Sequence, residues 1–295
     1  MSCATLLLVL IEGPGFELAR AVIPAHLAPF VDSWIGYREV SAVPVERIEH
    51  PTGRAVLIFE FGDPIELGTP GQPTARFRTG FFAGIDEEPT LTRFVGEQAG
   101  IEVNLSSEGA FAFSRGAIAE LHGQVVEAAD LGITAGLVCR LAEARSWEER
   151  FCCVAESLWQ RVRGARLLSP LVRHALQLID AKHGALRIDQ LSLTLGRSRK
   201  YVHERVTSES GFAPKRYAAL RRFARVKELL SSGDYATLAS VASRAGYSDQ
   251  AHLTRDVRQF AGMTPRELAL EVQKPIAFEV QRLKSAGDGS FPGRV

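Results

Sequence analysis

A chain of 295 residues, 46% hydrophobic and 23% charged, is long enough for two domains with their own cores and too apolar for a disordered polyelectrolyte. Its formal net charge of +1 excludes a uniformly polybasic or polyacidic protein. Four cysteines, Cys3, Cys139, Cys152 and Cys153, are too few and too irregularly spaced for a disulfide framework or a CxxC metal site, and they read as reduced thiols.

The apolar start CATLLLVLI lacks a basic n-region and is too short to span a bilayer, so it reads as a strand or a disordered leader of a cytoplasmic protein with no membrane partner. Nine of the 14 prolines precede Thr90. They flank β-rich runs: RAVLIFEFG (54–62), TARFRTGFFAGI (74–85) and GIEVNLS (100–106), the last with Ile101, Val103 and Leu105 alternating inward. Arg76 and Arg78, either side of Phe77, fit a strand's solvent face better than an anion site. Phe81, Phe82, Phe111 and Phe113 fit a core better than an effector pocket. From Thr90 to Ser169 there is no proline. The periodicity there predicts helices over 117–128, 137–144 and 147–162, the last with Trp147, Phe151, Val154, Leu158 and Val162 on one stripe. His26, His50 and His122 are isolated and no HxH pair exists, so no metal and no cofactor is expected.

The C-terminal part contains one layout twice. Leu186 to Leu195 reads as a short helix, followed by a turn at Gly196, a cap at Ser198 and the basic helix RKYVHERVTSES closing at Gly211. Some 50 residues on, Ala236 to Ala245 is followed by Gly246, a cap at Ser248 or Asp249, and a helix with Leu253, Val257 and Phe260 facing inward. The outward face of that helix shows Gln250, Ala251, Thr254, Arg255 and Arg258, the amide, hydroxyl and guanidinium chemistry that reads base edges and phosphates. Between the units, Pro214 begins a helix with Tyr217, Leu220, Phe223, Val226 and Leu230 as its buried stripe. Its roughly 18 residues span about 27 Å, comparable with the ~34 Å turn of B-DNA, so two helices could enter successive major grooves.

This region, from about Pro170 to Leu270, resembles the AraC/XylS-type DNA-binding domain of bacterial transcription regulators. Gly246, Tyr247, Ser248, Gln250, Leu253, Arg255, Gly262, Thr264 and Pro265 stand where that pattern has them, and Pro214, Tyr217, Arg222, Leu229 and Leu230 match its connecting helix. The first unit departs from the pattern at Glu204, Arg205 and Val206. The resemblance implies a DNA-contacting set of Arg199, Lys200, His203 and Glu204 in the first recognition helix and Gln250, Ala251, Thr254 and Arg255 in the second. Glu204 could accept from cytosine N4 or be neutralised on the helix surface by Arg199, Lys200 or Arg205. Residues 100–132 resemble the sensory half of a subgroup of the same regulators, often a cupin-like barrel.

Charge divides the same way. Residues 165–271 hold 18 basic against 10 acidic side chains, a net +8, whereas residues 1–164 hold 13 against 22, a net −9. The basic part suits a phosphate backbone and the acidic part would be repelled by it. The expectation is an α+β protein: a β-rich sensory or dimerising domain with helices over 1–164, an all-α domain of two helix-turn-helix units over 165–271, and a weakly ordered tail over 272–295. Double-stranded DNA is the expected partner, with RNA polymerase, a small-molecule effector and a second copy of the chain left open. A helical adaptor that does not bind DNA and an enzyme are the rivals, but GxSxG is absent and GPGFEL at Gly13 lacks the third glycine of a dinucleotide loop.

Overall fold

The computed structural model describes residues 8–13, 15–69 and 75–273. The residues before Leu8 and the tail from residue 274 onward, for which a leader and weak order were expected, lie outside the described residues.

Among the described residues the N-terminal half is built on one antiparallel sheet of nine strands: β1 (Leu8–Gly13), β2 (Phe16–Ala21), β3 (Val31–Glu49), β4 (Ala55–Glu60), β5 (Ile65–Gly68), β6 (Ala75–Phe77), β7 (Phe81–Ala83), β8 (Thr90–Leu105) and β9 (Val125–Glu127). Its spine is the pairing of β3 with β8, from Val31 opposite Leu105 to Glu49 opposite Thr90, in the path β1-β2-β3-β8-β4-β7-β9. The register sets Trp34 and Leu57 beside Val103, and that face is apolar because alternate residues of all three strands are apolar. Helices cover it: α1 (Ser107–Phe113), α2 (Ala135–Glu143) and α3 (Trp147–Val162). Phe151 lies 5.1 Å from Trp34 between ring centroids, and Phe113 stacks on Phe82 at 5.8 Å. The phenylalanines are core, as expected, and Arg76 and Arg78 are exposed.

Three local expectations change. Residues 117–128 do not form a helix: turns run to residue 123, and Val125–Glu127 instead adds a strand to β7, followed by a 3-10 turn over Ala128–Leu131. Here the free edge of the sheet outweighs local helix propensity. The run 74–85 is two short strands, β6 pairing β5 and β7 pairing β4. Cys139 and Cys153 are free, but Cys152 is disulfide-bonded, so the expectation of reduced thiols fails at that position.

The C-terminal half is all helical: α4 (Pro170–Ala181), α5 (Ile188–Thr194), α6 (Arg199–Ser210), α7 (Pro214–Ser232), α8 (Leu238–Arg244), α9 (Gln250–Ala261) and α10 (Pro265–Val272). Pro214 and Pro265 occupy first-turn positions, where the missing N–H is unused. The buried stripe of α7 is the expected one, with Tyr217, Leu220, Phe223, Val226 and Leu230 all almost inaccessible.

The two halves share one hydrophobic core, continuous from Trp34 and Phe82 to Phe223 and Phe260. Polar contacts seal the junction. Glu108 of α1 accepts from the Leu168 backbone N–H at 2.9 Å and pairs with Arg173 of α4, while Glu87 pairs with Arg216 of α7.

Candidate nucleic-acid interface

Each helix-turn-helix is assembled from short capped helices. Ser198 caps α6 by accepting from the Tyr201 N–H at 3.2 Å. Of the two candidates for α9, Asp249 is the cap, accepting from the His252 N–H at 2.7 Å, and that bond holds its carboxyl below the usual range. Thr237 and Thr264 form capping boxes with Ser240 and Glu267 at the starts of α8 and α10. Gly246 has φ +79, and a Cβ there would sit 2.2 Å from that of Ala185. It therefore supplies the left-handed turn between α8 and α9 and also lets the second unit approach the α4–α5 turn of the first.

Arg222 of α7 joins the units. It donates to the Gly184 carbonyl at 3.0 Å, lies 3.7 Å from Asp256 of α9, and its guanidinium sits 5.3 Å from the centre of the Tyr247 ring. Burial and the nearby Asp256 carboxyl push the Tyr247 hydroxyl up, so the ring stays neutral.

Leu253, Val257 and Phe260 turn α9 into the core with no exposed surface. Opposite them Gln250, Ala251, Arg255 and Arg258 are exposed and Thr254 is half-buried, its hydroxyl donating to the Gln250 carbonyl at 2.8 Å. Arg199, Lys200, His203 and Glu204 are exposed together on α6, whose inner face is Val202 and Val206. The eight expected residues thus fall on the outer faces of two helices, four on each. Their electrostatics differ. On and beside α6, Arg199 pairs with Asp189 at 2.8 Å, Lys200 with Glu204 at 3.9 Å, and Arg205 with Glu209. Lys200 is therefore the cation within reach of Glu204, while Arg199 and Arg205 are turned to other carboxylates.

Residues 191–270 match the model of a helix-turn-helix domain. The chain carries a helix-turn-helix domain of the AraC type. The matched residues run from within α5 to within α10, and α4 packs against α6 and α7. Similar solved structures include the C-terminal domain of AraT, a response regulator from Geobacillus stearothermophilus, 25% identical over 35% of this chain and 86% of that one, with a TM-score of 0.33. An AraC-type regulator from Chromobacterium violaceum is 23% identical over 36% of this chain and 95% of that one, TM-score 0.33. ToxT from Vibrio cholerae is 10% identical over 88% of this chain and 99% of that one, TM-score 0.45. No match was found among curated proteins.

Sequence reasoning missed the residues that dock the AraC-type domain on the sheet. His50, Thr52, Gly53 and Arg54 lie in the turn between β3 and β4 and touch α7. Isolated residues in a turn carry no periodic signal that could have pointed to them. Among the described residues, no group of His, Cys, Asp and Glu is placed to hold a metal ion, and no helix is long and apolar enough to cross a membrane.

Proposed function

We propose that this protein is a one-component transcription regulator that reads a promoter site with α6 and α9, and whose sheet-based half receives a small-molecule effector, a second copy of the chain, or both. DNA binding and transcription regulation follow from the AraC-type domain. The carrying observation is the pair of capped helices whose core stripes are buried and whose outer faces present Lys200, His203, Gln250 and Arg255 to solvent.

In this reading Gln250 pairs bidentately with adenine, Arg255 takes guanine or a phosphate, and Lys200 reaches guanine or backbone. Arg199, His203, Glu204, Ala251 and Thr254 complete the contact surface. Such a protein works in the cytoplasm, where the DNA is, and RNA polymerase is its natural downstream partner.

Selection of fragments from a random duplex pool by the full-length protein, followed by sequencing, tests the reading. Enrichment of a motif in two blocks is expected. Recovery of unenriched sequence under salt conditions where the protein remains folded would overturn it.

A further inference from the structure

The turn between β3 and β4 lies along α7 as an extended strip. The His50 carbonyl accepts from Lys227 Nζ at 3.0 Å. The His50 ring meets Phe223 edge-on with centroids 6.4 Å apart, and its Nε2 lies 2.9 Å from Glu271 of α10. Burial, with Lys227 nearby, lowers the His50 ring to about 3, so the ring is neutral and Nε2–H donates to the carboxylate in a hydrogen bond.

Two residues on, the Thr52 carbonyl accepts from Arg221 at 2.8 Å. Gly53 has φ +69, and a Cβ there would stand 3.2 Å from Leu220 and from Arg221. Arg54 closes the strip: it donates to the Tyr217 hydroxyl and pairs with Asp180 of α4 at 3.0 Å and with Asp32 at the start of β3.

The touched positions on α7 are therefore 217, 220, 221, 223 and 227, which lie on one side of the helix. The strip runs opposite to the helix. Ten helical residues cover about 15 Å, and four extended steps cover about 13 Å, so the lengths agree. One end of the strip reaches α10, which packs on α9 of the second helix-turn-helix, and the other reaches α4, which packs on α6 of the first. Arg222 is a link between the units inside the C-terminal half; the strip is a parallel link anchored in the sheet through β4, which pairs with β8 at the centre of the sheet. Two separate attachments restrict rotation about α7 where one would leave it free.

We propose that residues 50–54 are a splint that fixes the second recognition helix relative to the first, so that positions in the N-terminal half set the half-site spacing this protein accepts on DNA. His50 and Gly53 are positioning residues; they touch α7 and α10 and lie on neither recognition helix. The inference rests on the reading of α6 and α9 as the DNA-contacting helices.

The test uses full-length protein, its selected two-block site, the same site with one or two base pairs inserted between the blocks, and a single block. The variants are Gly53→Ala, which strains the left-handed turn and presses on Leu220, and His50→Ala with Lys227→Met, which releases the α10 end. Arg54 is kept, because its removal would leave Asp32 and Asp180 without their shared buried cation. Cooperative thermal unfolding establishes that each variant is folded, and a variant that is not is replaced by Lys227→Met alone.

Single-block affinity should stay within about twofold of the parent, while the parent's preference for its own spacing, of tenfold or more, should fall below about threefold. A folded variant that keeps the parent's spacing preference overturns the splint. A second readout does not depend on DNA: the distance distribution between fluorescent amino acids placed at Tyr201 and Ala251 in free protein. Broadening in the variants supports the splint even if the parent selects no DNA, a result that would sink the DNA reading alone. An unchanged distribution overturns the splint.

Discussion

Glu60 ends β4 with no exposed surface, accepting from the Tyr37 hydroxyl at 2.9 Å and from the Ala99 N–H at 3.1 Å. Burial outweighs these bonds and raises its carboxyl from 4.5 to about 8. Between those values the folded chain holds a proton that the unfolded chain has lost, so this group makes stability fall as pH rises through that window, by at most about 1.4 kcal/mol per pH unit. His50 acts oppositely: its ring, lowered from 6.5 to about 3, makes stability fall as pH drops between those values. The two slopes oppose each other from 4.5 to 6.5, so Glu60 is best isolated above 6.5. Glu60→Gln, which mimics the protonated acid, should flatten the decline in thermal midpoint from pH 6.5 to 8; an unchanged decline would show that Glu60 is ionised in the fold. At the interface, Arg255→Ala should cost about 1 to 3 kcal/mol of specific binding if the guanidinium contacts a base, and Gln250→Ala should relax choice at one base position. Repeating the fragment selection with Gln250→Ala checks this, and identical preferences at every position would remove Gln250 from the reading set.

At the scale of helices, α6 and α9 are built alike and charged differently. Because Lys200 shares its charge with Glu204 and Arg199 with Asp189, contact with a phosphate must compete with an existing partner. Exposed pairs are weak, about 0 to 1 kcal/mol each, so the competition reduces a contact without abolishing it. Lys200→Ala should therefore weaken binding less than Arg255→Ala at the same salt, measured by titration of both variants on the selected site. α10 is held at its start by the reciprocal bonds of Thr264 and Glu267 and carries Glu271 at its far end. Thr264→Ala should cost about 1 kcal/mol in denaturant unfolding of the full chain. A loss below the error of that measurement would mean that packing of Leu268 alone fixes the helix.

Across the whole molecule, opposite charge and a shared core pull in different directions. A net +8 over residues 165–271 favours phosphate attraction, so binding should weaken steeply with salt, with log affinity falling linearly in log salt. The acidic half is nevertheless joined to the basic one through Glu87–Arg216, Glu108–Arg173 and the Asp32–Arg54–Asp180 cluster. We expect a fragment spanning 165–271 to bind the selected site and to unfold at a lower temperature than the full chain, because Leu176, Tyr217 and Leu220 lose apolar cover and Asp180 and Lys227 lose partners from the N-terminal half. Calorimetry of both proteins checks it; equal midpoints would mean that the shared core contributes nothing to this half.

What the sequence determined by itself was whatever depends on neighbours close along the chain. The cap at Ser198, the proline start of α7, the turn at Gly246 and the core stripes of α3, α7 and α9 follow from helical period and local hydrogen bonding and were legible, whereas the choice of Asp249 over Ser248 as the α9 cap and the helix begun by Pro265 were not. The outer faces of α6 and α9 followed as the complement of those stripes. Only tertiary structure decided the rest. Val125–Glu127 became a strand because β7 offered an unpaired edge, and β3 ran for 19 residues because β8 lay beside it. Glu204 acquired Lys200 as its partner because Asp189 and Glu209 drew the other two cations away. Arg54 and Asp180 lie 126 positions apart, and no pattern of period two or 3.6 could have paired them. Their meeting is fixed by the packing of the two halves on one another, which depends on surface shape and buried charge and leaves no repeat in the chain.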